Sequence, residues 1–212
     1  MIEDEAGARD WLLTSGICDK AAMARLSQMA ELLAQENERQ NLISRNSVAR
    51  MWLRHIVDSA QLLPYVPRET QSWLDLGSGA GFPGLVIAVL RPDCRVAMVE
   101  SRARRVEWLN KISTVLELEN TEVIGSRLEL VESRKVDVIS ARAFAPLPRL
   151  LTLSARFSTD QTIWLLPKGR SAQQELDDLR GWQHTFHVKQ SLTEPQAGVI
   201  VGTLAGKKGT CP

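Results

Sequence analysis

The sequence predicts an open α/β fold: seven short strands, mostly parallel, behind a helical lead-in, with an antiparallel hairpin at one edge. Three observations support this. From residue 69 onward, short apolar runs alternate with helical patterns; a turn rich in glycine, "GSGAGFPG", follows the first run directly; and before residue 69 only helical periodicity is found. At 212 residues, the chain has room for one α/β core plus an appendage. Residues 1–68 therefore read as an N-terminal helical extension packed on a core domain of residues 69–212.

Within the lead-in, "DKAAMARLSQMAELLAQENER" spaces Met23, Leu26, Met29, Ala30 and Leu33 at three- and four-residue intervals. This predicts an amphipathic helix from Asp19 to Arg39, with Asp19 as its N-cap. A second helix is expected through "VARMWLRHIVDSAQLLPYV", stopping near Pro64 because an interior proline removes a backbone donor. Strands are expected at Ser72 to Leu76, Arg95 to Val99, Glu122 to Ile124, Val136 to Ser140, Thr162 to Leu166, Trp182 to Lys189 and Gly198 to Leu204. Helices at Gly84 to Leu90, Ala103 to Leu116, Pro148 to Phe157 and Ala172 to Leu179 complete right-handed βαβ units. The last two strands are joined by "SLTEPQA", too short for a crossover helix, and so should form the edge hairpin. The tail "GKKGTCP" reads as a loose end.

Composition narrows the functional classes. Hydrophobic residues at 44% and charged residues at 24% describe a folded globular chain. The net charge of +1, from 26 basic and 25 acidic residues, neither announces nor forbids a nucleic-acid partner. The acidic opening "MIEDEAGARD" is unlike a secretory leader, and no run nears the roughly 18 apolar residues of a membrane span. Cys18, Cys94 and Cys211 are scattered and form no metal-ligand pair, so neither a disulfide framework nor a metal site is expected, and a reducing cytoplasm fits.

In an open α/β sheet a ligand lies beyond the carboxyl ends of the strands, where Gly77, Gly79, Gly81 and Gly84 stand. Glycines there let the chain turn tightly and a ligand approach the main chain, while the following helix offers free N–H groups. A dinucleotide fingerprint wants glycine or alanine at the sixth place, which here is Phe82. The pattern with Asp75 before it suits S-adenosylmethionine instead, Asp75 attracting its amino group and backbone donors its carboxylate. Glu100, 19 residues beyond Gly81, stands at the interval of about 20 residues that places an acid on ribose hydroxyls.

Taken in order, "NLIS" with "RHIVDS", then "DLGSGAGFPG", "ESRARRVEWL", "SRLE", "SARAF" and "LPKG" resemble the bacterial small-subunit ribosomal RNA guanine-N7 methyltransferases, the RsmG or GidB family. The similarity runs from Asn41 to Arg170. It implies a seven-stranded class I methyltransferase fold, S-adenosylmethionine as donor with S-adenosylhomocysteine as product, and N7 of one guanine of 16S ribosomal RNA as acceptor, within a small subunit or its precursor. By motif position, Gly77 and Phe82 match cofactor-contacting places, and Leu128 and Glu129 of "SRLE" match the pair beside the adenine. Arg142 of "ARAF" matches an active-site arginine and enters as both catalytic and cofactor-contacting. Phe82 departs from the family's common leucine.

Guanine N7 carries an exposed lone pair, so the transfer asks for orientation and no proton-removing base. The planar fork of Arg142 suits either the guanine edge or a phosphate. Lys168, ending the fifth strand, reads as an active-site or RNA-facing cation. Arg102, Arg104, Arg105 and Lys111 read equally as an RNA footprint or as a solvated helix face. Arg54, His55 and Asp58 are expected to tie the lead-in to the pocket by hydrogen bonds. A monomer is expected. Competing readings are a nicotinamide oxidoreductase, a methyltransferase for another acceptor, and a ribosome-binding factor without turnover.

Overall fold

A computed structural model describes residues 1–207 of the chain. Cys211 and the last five residues of the "GKKGTCP" tail lie outside the described residues, whereas Gly206 and Lys207 belong to the last strand. The lead-in contains α1 (Glu5–Thr14), α2 (Lys20–Asn37), α3 (Arg45–Val48), a π-helical stretch (Trp52–Val57), α4 (Asp58–Ala60) and a 3₁₀ turn (Leu63–Tyr65). The core alternates β1 (Ser72–Leu76), α5 (Gly84–Leu90), β2 (Arg95–Glu100), α6 (Ala103–Val115), β3 (Thr121–Gly125), β4 (Val138–Ala141), α7 (Leu147–Ser154), β5 (Ile163–Lys168) and α8 (Ala172–Asp177). It closes with β6 (Trp182–His184), β7 (His187–Gln190) and β8 (Gly198–Lys207).

The sheet runs in the order β3-β2-β1-β4-β5-β8-β6, with β7 also on β8. Strands β1 to β5 pair in parallel and β8 is antiparallel to β5. The expected hairpin is present, but β8 is its inner arm, inserted beside β5. Among the described residues the sheet has eight strands where seven were expected, because the run from 182 to 189 divides into β6 and β7, both paired with β8. The division falls where Phe186 turns inward: its backbone passes so close to Gly202 that a Cβ there would lie 2.8 Å away, and its ring meets Trp164 edge-on at 6.3 Å.

Alternation along the strands separates two cores. Trp73, Val96 and Met98 face the lead-in, α5 and α6, while Leu74, Leu76, Ala97 and Val99 face α7 and the hairpin residues. Asp19 caps α2 as expected, its carboxylate accepting the Ala22 N–H at 2.7 Å. Leu12, Leu26, Met29, Leu33, Leu53 and Ile56 are sealed against the first core. At roughly 1.5–3 kcal/mol each, their burial is comparable to the net stability of a whole domain. The lead-in is thus packed into the fold.

Two features of the lead-in differ from expectation. Helix α1 is an additional element, capped by Asp4 and burying Ala8 and Leu12 in the first core. The helix expected from residue 48 to 66 is shorter, running from residue 51 to 60 with its middle widened into a π-helical stretch and followed by the 3₁₀ turn at Pro64. One contact links both: the Glu5 carboxylate accepts the N–H groups of Trp52 and Leu53 at 3.0 and 2.8 Å, while Arg9 stacks on the Trp52 ring. A side chain some 50 residues away thereby supplies the stretch's first turn with the acceptor its own sequence lacks.

Candidate active site

The turn after β1 is closed by main-chain bonds: the N–H groups of Gly77 and Ser78 donate to the Val99 carbonyl at 2.8 and 3.1 Å, joining it to the end of β2. Gly77 and Gly81 take positive φ of 69° and 106°. Space is as restrictive as angle. A Cβ on Gly77 would lie 2.6 Å from the Phe144 ring, and one on Gly81 would lie 2.2 Å from Leu85.

Beside this turn opens a cleft of about 380 Å³, lined by Gly77, Glu100, Leu128 and Glu129 together with Arg102, Arg105, Arg127 and Arg149. Four of the expected cofactor residues are thus brought together. Glu100 ends β2 with one carboxylate oxygen accepting the Ser101 and Arg102 N–H groups, at 2.8 and 2.9 Å. The other accepts the Gly79 N–H at 3.0 Å and lies 3.8 Å from Arg105. Arg102 and Arg105 therefore belong to this cleft, whereas Lys111 pairs with Glu36 of the lead-in at 3.3 Å.

The remaining expected cofactor residues lie elsewhere. Asp75 is fully buried and lines neither this cleft nor the one described below. Its carboxylate accepts the Ser140 hydroxyl at 2.8 Å and the Gly84 N–H at 3.2 Å, and burial pushes its pKa up against the pull of these donors. Parallel pairing puts Asp75 opposite Ser140, which also accepts the Trp73 indole N–H, so the Asp75 carboxylate, expected to attract an amino group, links β1, β4 and α5. Gly79, Gly81 and Phe82 shape the turn without lining the cleft. Phe82 instead stacks on His55, with ring centroids 4.9 Å apart, and lies under Arg142.

A second cleft, of about 790 Å³, lies between the lead-in, the carboxyl ends of β4 and β5, and the amino end of the antiparallel β8. Arg142 lines this cleft only. Its guanidinium donates to the Arg54 carbonyl at 3.2 Å and to His55 Nδ1 at 3.0 Å, and reaches Asp58 at 3.4 Å. The expected tie between lead-in and pocket is thus formed by Arg54, His55 and Asp58. An Nδ1 that accepts requires a neutral imidazole with its proton on Nε2. Burial, reinforced by Arg142 and Arg54, lowers the His55 pKa to about 3, which keeps it neutral. The spacing in "RHIVDS" serves the same group: the Ser59 hydroxyl donates to the His55 carbonyl at 2.6 Å.

Lys168 also lines the second cleft, but its ammonium is committed, donating to Glu175 at 2.8 Å and to the Ala145 carbonyl at 3.1 Å. Glu175 in turn accepts the Leu147 N–H at 2.9 Å. Lysine and glutamate together hold the segment after Arg142. The sequence reading missed the far wall of this cleft, Ser191 to Val199, which is distant in sequence and bears no motif.

The GidB family model, described as rRNA small subunit methyltransferase G, matches residues 22–196. The chain belongs to this family. Ribosomal RNA small subunit methyltransferase G of Erythrobacter litoralis is 57% identical over 95% of the chain and 97% of its own length. That of Novosphingobium aromaticivorans is 55% identical over 98% and 92%. Among solved structures, an S-adenosylmethionine-dependent methyltransferase from Aquifex aeolicus shares the fold, with a TM-score of 0.55 at 16% identity over 69% of this chain and 88% of its own. A precorrin-6y C5,15-methyltransferase from Geobacter metallireducens does so at 0.54 and 12%, over 77% and 92%. As a GidB-family enzyme the chain is a ribosomal RNA methyltransferase that uses S-adenosylmethionine.

Proposed function

We propose that the chain transfers a methyl group to N7 of a guanine in 16S ribosomal RNA, acting as a cytoplasmic monomer on the small subunit or its precursor. We assign the cleft beside Gly77 to the cofactor and the cleft around Arg142 to the acceptor. The residues present suit S-adenosylmethionine: Glu100 offers carboxylate oxygens to ribose hydroxyls, Leu128 offers an apolar wall to adenine, and the arginines suit the methionine carboxylate. When bound, this group supplies an activated methyl on a positively charged sulfur.

One observation carries the choice of acceptor: among the described residues, every side-chain base lining the second cleft is already hydrogen-bonded or ion-paired. His55 is neutral but spends its Nδ1 lone pair on Arg142, and Lys168 is paired with Glu175. Arg54 pairs with Glu194, and Asp58 accepts from Gln61 and Thr193. Such a site cannot readily remove a proton, but it suits an atom that already presents a lone pair, as guanine N7 does. The chain's part is to hold the base edge with Arg142 and to keep that guanidinium fixed through His55 and Asp58. Within this reading, residues 1–68 form one wall of the acceptor cleft and residues 69–212 provide the catalytic domain.

The test is transfer of labelled methyl to small subunits, and separately to their naked RNA, prepared from cells lacking this protein. Label recovered as 7-methylguanine is the expected result, and label on any other base or atom overturns the assignment. No helix among the described residues is long and apolar enough to cross a membrane.

A further inference from the structure

Donor and acceptor must meet where the two clefts join, and the residues lining both are Ala143, Phe144 and Ala145. The alanines offer only methyl groups. Of the aromatic rings along either cleft among the described residues, the other is the His55 imidazole, which is buried in its stack with Phe82. Phe144 is only half-buried. One edge of its ring rests on the glycine turn, where any side chain at residue 77 would collide with it.

The loop that carries this ring is held on both sides. Arg142, just before it, is fixed by Arg54, His55 and Asp58. Ala143 has a φ of 54°, a conformation that costs a residue bearing Cβ free energy and persists only where the surroundings impose it. Beyond Phe144, Lys168 holds the Ala145 carbonyl and Glu175 holds the Leu147 N–H. A braced, half-exposed phenyl ring at the junction of the two clefts offers a flat apolar face to whatever enters from the acceptor side. An unpaired base presents the matching face.

We propose that Phe144 is the stacking platform for the acceptor guanine, with Arg142 gripping the edge of the base while the ring fixes its plane. This rests on the assignment of the acceptor above. Two contacts at right angles, one in the base plane and one on its face, leave the base little freedom to tilt and so set the direction in which N7 points. Loss of either costs orientation.

The experiment compares Phe144→Leu and Phe144→Tyr with the wild type, measuring kcat and KM for methyl transfer to small subunits and calorimetric affinity for S-adenosylmethionine. Stacking of a base on an aromatic side chain contributes about 1–3 kcal/mol, so kcat/KM for the leucine variant should fall roughly 5- to 150-fold. Its cofactor affinity should stay within about threefold, and the tyrosine variant should recover most of the rate. Equal activity of Phe144→Leu and wild type overturns the proposal. So does a tyrosine variant as slow as the leucine variant, or a loss of cofactor affinity that accounts for the whole loss of rate. A wild-type control that places no label on 7-methylguanine removes the acceptor assignment itself, and the platform with it. Label on 7-methylguanine with an unimpaired leucine variant removes the platform alone.

Discussion

The two clefts are built by different means. The cleft assigned to the cofactor rests on backbone: a glycine turn bonded to β2, and a glutamate whose oxygens accept N–H groups of residues 79, 101 and 102. The cleft assigned to the acceptor rests on side chains from remote segments, with Arg142 held by residues 54, 55 and 58 and the following loop held by Lys168 and Glu175. A site built on backbone tolerates most substitutions that spare its glycines and the glutamate bonded to them. A site of interlocked side chains depends on each member, so the two should respond differently to mutation.

The largest difference is expected at Arg142, which lines the acceptor cleft alone. Arg142→Ala should reduce methyl transfer by about 100-fold or more, the scale of a lost orienting contact, with cofactor affinity changed less than about threefold. Arg142→Lys should recover little, since a point charge cannot reproduce the planar fork. Turnover and calorimetry on the same preparations check this, and a parallel loss of cofactor affinity would place Arg142 in the cofactor cleft. Glu100→Ala should do the reverse. Losing a charged acceptor costs about 1.5–3 kcal/mol, or roughly 10- to 150-fold in the cofactor's Kd, while kcat at saturating cofactor stays close to wild type. An unchanged Kd would separate Glu100 from the ribose.

Asp75 sharpens the comparison, because its place in the motif points to the cofactor while its carboxylate is bonded to Ser140 and Gly84. The Ser140 hydroxyl bridges the Trp73 indole and the Asp75 carboxylate, all three residues being buried. Ser140→Ala leaves a buried donor and a buried acceptor each short of a partner, which should cost about 2 kcal/mol in denaturant unfolding. Cofactor affinity should hold within about twofold. A tenfold loss of that affinity would restore Asp75 to the cofactor cleft.

Local sequence carried much of this architecture. The run "SWLDL" before "GSGAGFPG" locates β1, the turn and α5, because strand periodicity and glycine spacing are read within a dozen residues. Glu100, Leu128 and Glu129 come to the same cleft because parallel pairing brings the carboxyl ends of β1, β2 and β3 together. What escaped depends on distant partners. Nothing near Trp52 indicates that Glu5 will cap the π-helical stretch, and nothing in "LPKG" indicates that Glu175 will occupy the Lys168 ammonium. Phe144 was visible in "ARAF", yet its place over Gly77 follows from the β1–β4 pairing, which local periodicity does not specify.

The smallest expected effect concerns pH, and it tests whether neutral His55 anchors the acceptor side. Its pKa is lowered to about 3 in the folded chain from an ordinary value of 6.5. Between those values the unfolded chain binds the proton more readily, so this contribution to stability is full above pH 6.5 and is lost as the pH falls through the window. From pH 7 to 5.5 the loss should be about 1 kcal/mol. His55→Asn offers an amide oxygen where Nδ1 accepts from Arg142 but does not titrate there. Its unfolding free energy should therefore lack that share of the wild-type slope while much of the methyl transfer is kept. Urea titrations of both proteins at the two pH values check the slope. Identical slopes would mean that the imidazole is free to protonate in the folded chain, and Arg142 would then have to be held by Asp58 and the Arg54 carbonyl alone.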